Sequence, residues 1–360
     1  MWINDVIIYI MVFFLCLGAA DKCLGNRFGL GERFVAGFKA MGPLTLAMVG
    51  ILSLAPVLAQ FLIPVMTPVY SWIGADPASF ANSLLALDMG GYALAKEMAF
   101  TRDAELFSWV FLGTMLGPTV VFTIPVALGI ITKADQEYFA KGILLGLMTI
   151  PAGSFVGSIL AGLDLAIVSV NLIPTVVLSA LLGIGLWKRT TQMMVGFKWF
   201  GKLIEVIAIC GLVAVIIETL TGFVVIPNMT PLSEGFQIVG SIAIVLAGAF
   251  PMVALITKVF QRHLKAAGRL LKIDYIAASG LLASLAHSIP MFGVFRQMEP
   301  RGKVINAAFA VSGAFVFGGH LGFVAGIEKE MVFAMIAGKL VSGISAVGLA
   351  LIVTRKESAL

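Results

Sequence analysis

Long apolar runs alternate along this chain with short polar links that hold most of the charges. A bilayer-crossing helix needs about 20 mostly apolar residues. Runs of that kind are expected at 5–21, 41–72, 104–131, 141–161, 163–186, 203–222, 236–258, 303–326 and 331–353. The second carries Pro56, Pro64 and Pro68, which predicts a kink or an irregular end, because proline removes a backbone donor and crowds the preceding turn. Thr114, Pro118, Thr123 and Pro125 predict a bent third span. Two further apolar stretches, 77–98 and 275–298, are broken near the middle, the first at Asp88, Gly90 and Gly91, the second at His287, Ser288 and Pro290. Each half is too short to cross, since ten helical residues rise only about 15 Å, so both stretches read as re-entrant hairpins. The link 258–275 alternates basic and apolar residues at near-helical spacing. It is expected to lie as an amphipathic helix on the inner membrane surface, with His263 on its wet face.

Charge fixes an orientation for this pattern. The first run has no basic residue before it and Lys22 after it, the reverse of a secretory signal, so it is expected to stay as the first span. With the N-terminus outside and each hairpin returning to its own side, 20 of the 24 Lys and Arg residues fall inside. Lys96, Arg102 and Lys329 fall outside, and Lys339 is left within a span. Letting 77–98 alone cross would put the basic links 188–202 and 258–272 outside, against the positive-inside bias. The C-terminus is then inside and the link 227–235 outside.

The two halves resemble each other at a shift near 200. Asp5-Val6-Ile7 matches Glu205-Val206-Ile207, Lys96-Glu97-Met98 matches Arg296-Gln297-Met298, and Gly113 matches Gly313. Leu84-Leu85-Ala86 matches Leu281-Leu282-Ala283. The reading is a first repeat over 1–162 with four spans and the hairpin 77–98, then a linking span over 163–187. A second, inverted repeat over 188–360 follows, with two spans, the hairpin 275–298 and two more spans. The expected fold class is therefore an all-α polytopic membrane protein, about nine spanning helices plus two re-entrant hairpins in an inverted-topology repeat. That layout recurs among secondary transporters.

Composition agrees and excludes other classes. At 60% hydrophobic residues, 12% charged and a mean hydropathy of +1.04, no soluble domain is expected. The net charge of +5 lies in the links between spans and implies no nucleic acid. Cys16, Cys23 and Cys210 form neither a paired framework nor a metal-ligand spacing, so no metal or cofactor is expected. The chain has no H-E-x-x-H, no G-x-S-x-G and no ATP-binding G-x-x-x-x-G-K-[ST], so it is not expected to be an enzyme.

Candidate chemistry gathers at the breaks. Asp88 is an intramembrane carboxylate, a type of group that usually faces a substrate or a water path. The alternative is that it caps the second helix of its hairpin. Gly90 and Gly91 would let a ligand approach the backbone, and Asn82 opens the same stretch. His287 and Ser288 form the second break, where a neutral imidazole can accept a bond from an ammonium or donate one to a hydroxyl. It can equally satisfy backbone groups freed there. Asn306 and His320, 14 residues apart, would share a face of one helix. Asn171, before Pro174, reads as a partner for a freed carbonyl but stays among the binding candidates; Gln60 is similar. Lys96 and Glu97 read as a solvated pair.

Several long motifs carry a resemblance. They are D-M-G-G-Y-A-L-A-K-E-M at 88–98, G-P-T-V-V-F-T-I-P-V-A-L-G-I-I at 117–131, I-P-M-F-G at 289–293 and R-G-K-V-I-N-A-A-F-A-V-S-G-A-F at 301–315. Over nearly the whole chain the sequence resembles the ethanolamine permeases of bacterial ethanolamine-utilisation systems. The resemblance implies that ethanolamine enters the cell through this protein, across the bacterial cytoplasmic membrane. Protonated ethanolamine would offer an ammonium to Asp88 and a hydroxyl to His287 or Asn306. Two departures stand out: the family pattern has an acidic residue where this chain has Gly319, which removes a second carboxylate, and the link at Leu163 and Asp164 is short. The implied partners are the substrate and the lipid bilayer, and the assembly is open to a homo-oligomer. Two other readings stay open: a carrier of another small polar solute such as a nucleoside, for which only Tyr92 and Phe292 offer rings near the tips, and a membrane-embedded enzyme using Asp88 and a histidine.

Overall fold

The computed structural model describes residues 2–260 and 264–355, and among these every regular element is helical. In chain order α1 is Trp2–Cys23 and α2 is Leu30–Trp72. The first broken stretch holds α3 (Ala78–Leu84) and α4 (Gly91–Met98). Then come α5 (Arg102–Ile130), α6 (Lys133–Ala161), α7 (Leu165–Lys188), α8 (Thr190–Thr221) and α9 (Leu232–Phe260). A short α10 (Leu264–Leu271) leads to the second broken stretch, α11 (Tyr275–Ser284) and α12 (Ile289–Gly293). The chain closes with α13 (Pro300–Ser312), α14 (Gly319–Ile327) and α15 (Lys329–Val353). Eight of these helices are long and apolar enough to cross a membrane. α5 is the most enclosed of the eight, with Phe107, Trp109 and Phe111 fully buried in its first third.

The ninth expected span, 303–326, is interrupted. Residues 313–318 leave the helix, with Phe315 at φ 62°. The backbone is satisfied elsewhere: the N–H groups of Phe315 and Phe317 donate to the carbonyls of Ser284 and Leu285, at 3.0 and 2.9 Å. The interruption is thus stitched to the second broken stretch. Conversely, α2 does not end irregularly at its three prolines. It runs as regular helix from Gly50 to Trp72, and its irregular places lie earlier, a turn at Ala40 and a wider π turn at Thr45–Val49. α5 carries two such turns, Phe107–Leu112 and Thr119–Thr123, where a bend was expected. α8 begins at Thr190, so most of the basic link 188–202 is an extension of a spanning helix. The amphipathic link contains α10, with Arg269 and Leu270 exposed. His263 lies outside the described residues.

Each broken stretch is closed at its base by an aspartate. The Asp76 carboxylate accepts bonds from the N–H groups of Ala78 and Phe100, both at 2.9 Å. It thereby ties the start of α3 to the residues just past α4. Burial lifts the Asp76 carboxyl above its ordinary value, against the pull of these N–H groups. Asp274, 198 positions later, accepts from Ala277 and Glu299 at 2.6 and 2.8 Å, and its own N–H donates to the Glu299 carboxylate at 3.2 Å. The two bases lie at opposite ends of α5. The first directly precedes Arg102. The second precedes Lys303, whose ammonium bonds Asp135, just past the other end of α5, at 2.6 Å. Arg102 in turn pairs with Glu105 and with Glu328.

Helices approach most closely at glycines. A Cβ on Gly50 of α2 would lie 1.8 Å from the Ala208 carbonyl oxygen and 2.5 Å from the Leu212 nitrogen of α8. Both are backbone atoms that cannot step aside. Gly50→Ala is expected to destabilise by at least about 1–3 kcal/mol, the usual cost of overpacking, and to reduce the yield of monodisperse protein on size exclusion. Gly42→Ala, with nothing within 4 Å, is the control and should leave the yield unchanged.

Candidate functional site

The first break is built from two extended residues, Leu85 and Ala86, then one 3-10 turn, Leu87–Met89, then Gly90. Asp88 sits at the centre of that turn, half-buried. α4 has no side-chain cap, so the capping role is not the one Asp88 plays. Among the described residues the carboxylate has no partner beyond its own N–H. Gly90 turns the chain into α4 at φ 94°, a left-handed conformation that favours glycine. The space beside the two glycines is filled by protein: a Cβ would fall 2.1 Å from Ile51 Cγ2 at Gly90 and 2.2 Å from Asn82 Nδ2 at Gly91. Their closeness serves packing and leaves no open backbone for a ligand.

Asn82 and Asn171 are likewise committed to the fold. Asn82, fully buried, lies with Oδ1 2.9 Å from the Ser108 hydroxyl, joining α3 to α5. Asn171 Oδ1 accepts from the Asp76 N–H and the Ser79 hydroxyl, at 2.9 and 2.8 Å, while its amide donates to Ile167. It therefore holds the base of the first break. The carbonyl it bonds is not the one freed by Pro174, which belongs to Val170. Gln60 is exposed, and so are Lys96 and Glu97.

At the second break His287 Nδ1 accepts the Ile289 N–H at 3.2 Å and so starts α12. Its ring packs on Phe315 at 4.8 Å and on Phe122 of α5 at 6.1 Å. The His320 ring lies 5.1 Å from Phe315 in the same cluster. Asn306 does not share a helical face with His320, because residues 313–318 separate α13 from α14. Its amide donates to the carbonyls of Ala277 and Gly302, at 3.0 and 2.9 Å. One turn beyond His320, Phe323 packs on Tyr92 of α4 and Trp109 of α5. α14 also touches the turn that carries Asp88. Hence α14 stands between the two breaks, with Asp88, His287 and His320 as the polar groups around it. More rings surround it than the sequence indicated. They pack edge-on against one another, and Phe292 belongs to a separate cluster with Phe139 and Phe295.

Among the described residues the buried polar atoms Ser288 Oγ, His320 Nδ1, Asn306 Oδ1 and Trp109 Nε1 have no hydrogen-bond partner. Leaving such a group unpaired costs about 1–3 kcal/mol, so each marks a place where a polar ligand or water gains a bond. A carboxylate, imidazoles and free donors and acceptors among aromatic rings suit a small solute with an ammonium at one end and a hydroxyl at the other. The groove between α6 and α7, lined by Leu144, Leu147, Val176, Ile184 and Trp187, is apolar and suits no such solute. Sequence reasoning passed over one residue: Lys339 of α15, fully buried, donates to the Thr114 carbonyl at 2.6 Å. The available signal was a single lysine inside an apolar span.

The family profile described as "Ethanolamine utilisation protein, EutH" matches residues 3–353. A Bacillus subtilis protein named uncharacterized protein YxeR is 58% identical over 100% of this chain and 97% of its own length. A Listeria monocytogenes protein named probable ethanolamine permease EutH is 55% identical, covering 96% of this chain and 93% of the relative. An Escherichia coli protein of that name is 43% identical over 100% of this chain and 97% of the relative. No solved structure matches the chain.

Proposed function

The chain belongs to the EutH family of ethanolamine utilisation proteins, and from that premise we infer that it is a permease moving ethanolamine across the membrane it spans. The observation that carries this reading is full-length similarity to relatives named ethanolamine permeases. The Asp88 carboxylate at a helix break, with no partner among the described residues beyond its own N–H, supports it. A carboxylate in a low-dielectric surround recognises an ammonium strongly. On this reading the ammonium meets Asp88, and the hydroxyl meets His287, His320 or Ser288. Gly90, Gly91, Asn82 and Asn171 shape the site without touching the substrate. The membrane is the bacterial cytoplasmic membrane. Uptake of labelled ethanolamine by cells expressing the chain, against cells lacking it, tests the reading; equal uptake overturns it.

The two broken stretches are re-entrant hairpins, entering from opposite faces in an inverted repeat. Support comes from the Asp76 and Asp274 clasps, 198 positions apart and alike in their bonds. With the N-terminus outside, the link after α8 faces out. A single cysteine replacing Ser233, in a variant lacking the native cysteines, is expected to react with an impermeant maleimide added to intact cells. One replacing Lys198 is expected to stay unlabelled until the cells are opened. The reverse pattern inverts the orientation.

A further inference from the structure

The apolar groove between α6 and α7 is a feature the transport site does not use. Along α7 it runs from Val176, near the middle of the helix, to Trp187, one residue before its end. Eleven residues of helix rise about 17 Å, close to half of the roughly 30 Å hydrocarbon core of a bilayer. Opposite stand Leu144 and Leu147 of α6, and that helix is interrupted just beyond them, at Met148 and Thr149. Gly183 adds no side chain to the floor; a Cβ built there would meet Leu144 Cγ at 3.8 Å, an ordinary contact. Val176, Ile184 and Trp187 are exposed, as residues facing hydrocarbon are. The groove therefore has the depth of one leaflet and the lining of an acyl-chain site.

Its end carries positive charge. Val176, Ala180, Ile184 and Lys188 follow one another at intervals of four, so they form one ridge of α7, and Lys188 continues the wall of the groove. Arg189 stands next, at the corner before α8. Both basic side chains are exposed, and among the described residues neither has a carboxylate partner. Of the acids near the start of α6, Asp135 is held by Lys303, and Glu137 stands one turn before Lys141. Trp187 is of the residue type that sits at the level of lipid headgroups. We propose that the groove binds one phospholipid of net negative charge, with an acyl chain along α7 from Trp187 to Val176 and the phosphate on Lys188 and Arg189. A basic pocket between spanning helices favours an anionic headgroup over a zwitterionic one, and a guanidinium grips phosphate oxygens in pairs. In the orientation proposed above, this is a lipid of the inner leaflet. The binding does not depend on what the chain transports.

The test uses purified full-length protein in detergent, with phosphatidylglycerol or phosphatidylcholine of the same acyl chains added at equal concentration. Native mass spectrometry is expected to show one phosphatidylglycerol held per chain, about tenfold or more above phosphatidylcholine, the effect of two basic residues beside an anionic headgroup. Phosphatidylglycerol should also raise the melting midpoint by several degrees. Lys188→Gln with Arg189→Gln is expected to erase the preference while leaving the midpoint in detergent alone unchanged. Arg33→Gln with Lys39→Gln removes two exposed charges elsewhere and should keep it. Ala180→Trp fills the groove and should reduce retention of both lipids. Equal retention of the two lipids by the unaltered chain, or a preference that survives the loss of Lys188 and Arg189, overturns the proposal. So does inorganic phosphate that reproduces the midpoint rise, which marks an anion site without a lipid. A dimer that Ala180→Trp converts to monomer overturns it too, marking the groove as a contact between copies. If Ala180→Trp fails to fold, the paired glutamine variant decides alone.

Discussion

Asp88→Asn is expected to abolish measurable ethanolamine uptake at micromolar substrate while leaving the amount of folded protein in the membrane unchanged. The substitution keeps the size and shape of the side chain and removes its charge. Loss of one partner from a buried charge pair typically costs about 3–5 kcal/mol, and each 1.4 kcal/mol is tenfold in affinity. Affinity should therefore fall by roughly two to three and a half orders of magnitude. The fold should tolerate the change, because the carboxylate caps no helix and holds no neighbouring residue. Glu97→Gln, on the exposed end of α4, is the matching control and should transport normally. Near-normal uptake by Asp88→Asn at matched expression would take Asp88 out of the site and leave His287, His320 and Ser288 as the place to look.

The helices were legible because a membrane span declares itself by length and apolar composition, and eight fall where the hydrophobic runs lie. The breaks were legible for a different reason: Asp88, Gly90, His287 and Pro290 are residues that a spanning helix does not tolerate without purpose. The interruption at 313–318 was not. Its two glycines suit a helix–helix contact as well as a break, and the bonds that stabilise the break come from Ser284 and Leu285, some 30 residues away in sequence. The same limit explains Asn306 and His320: a spacing of 14 places two residues on one face only if the helix between them is continuous. The glycines at 90 and 91 were read as room for a ligand, and Ile51 and Asn82 occupy that room. Lys339 was visible as an exception to the charge pattern. Its bond to the Thr114 carbonyl, in a helix more than 200 positions earlier, was not. Local pattern finds elements; long-range bonds assign them roles.

The second large effect is expected at the pair Lys303 and Asp135, which joins the first turn of α13 to the start of α6. Both side chains are at most one-tenth exposed; the Thr132 hydroxyl bonds the same carboxylate at 2.7 Å, and the ammonium lies 5.6 Å from the centre of the Tyr138 ring. Lys303→Met takes the ammonium from a buried aspartate that keeps only the Thr132 hydroxyl bond and the more distant charge of Arg296, and breaking a buried pair in this way costs about 3–5 kcal/mol. The double variant Lys303→Met, Asp135→Leu removes both charges and should recover most of that loss, since a packed apolar pair is often as stable as the ion pair it replaces. At the opposite end of α5 the Arg102 and Glu328 pair is different in kind: Arg102 is about half exposed, and an exposed pair contributes about 0–1 kcal/mol. Arg102→Ala should therefore shift the thermal unfolding midpoint little, while Lys303→Met lowers it clearly.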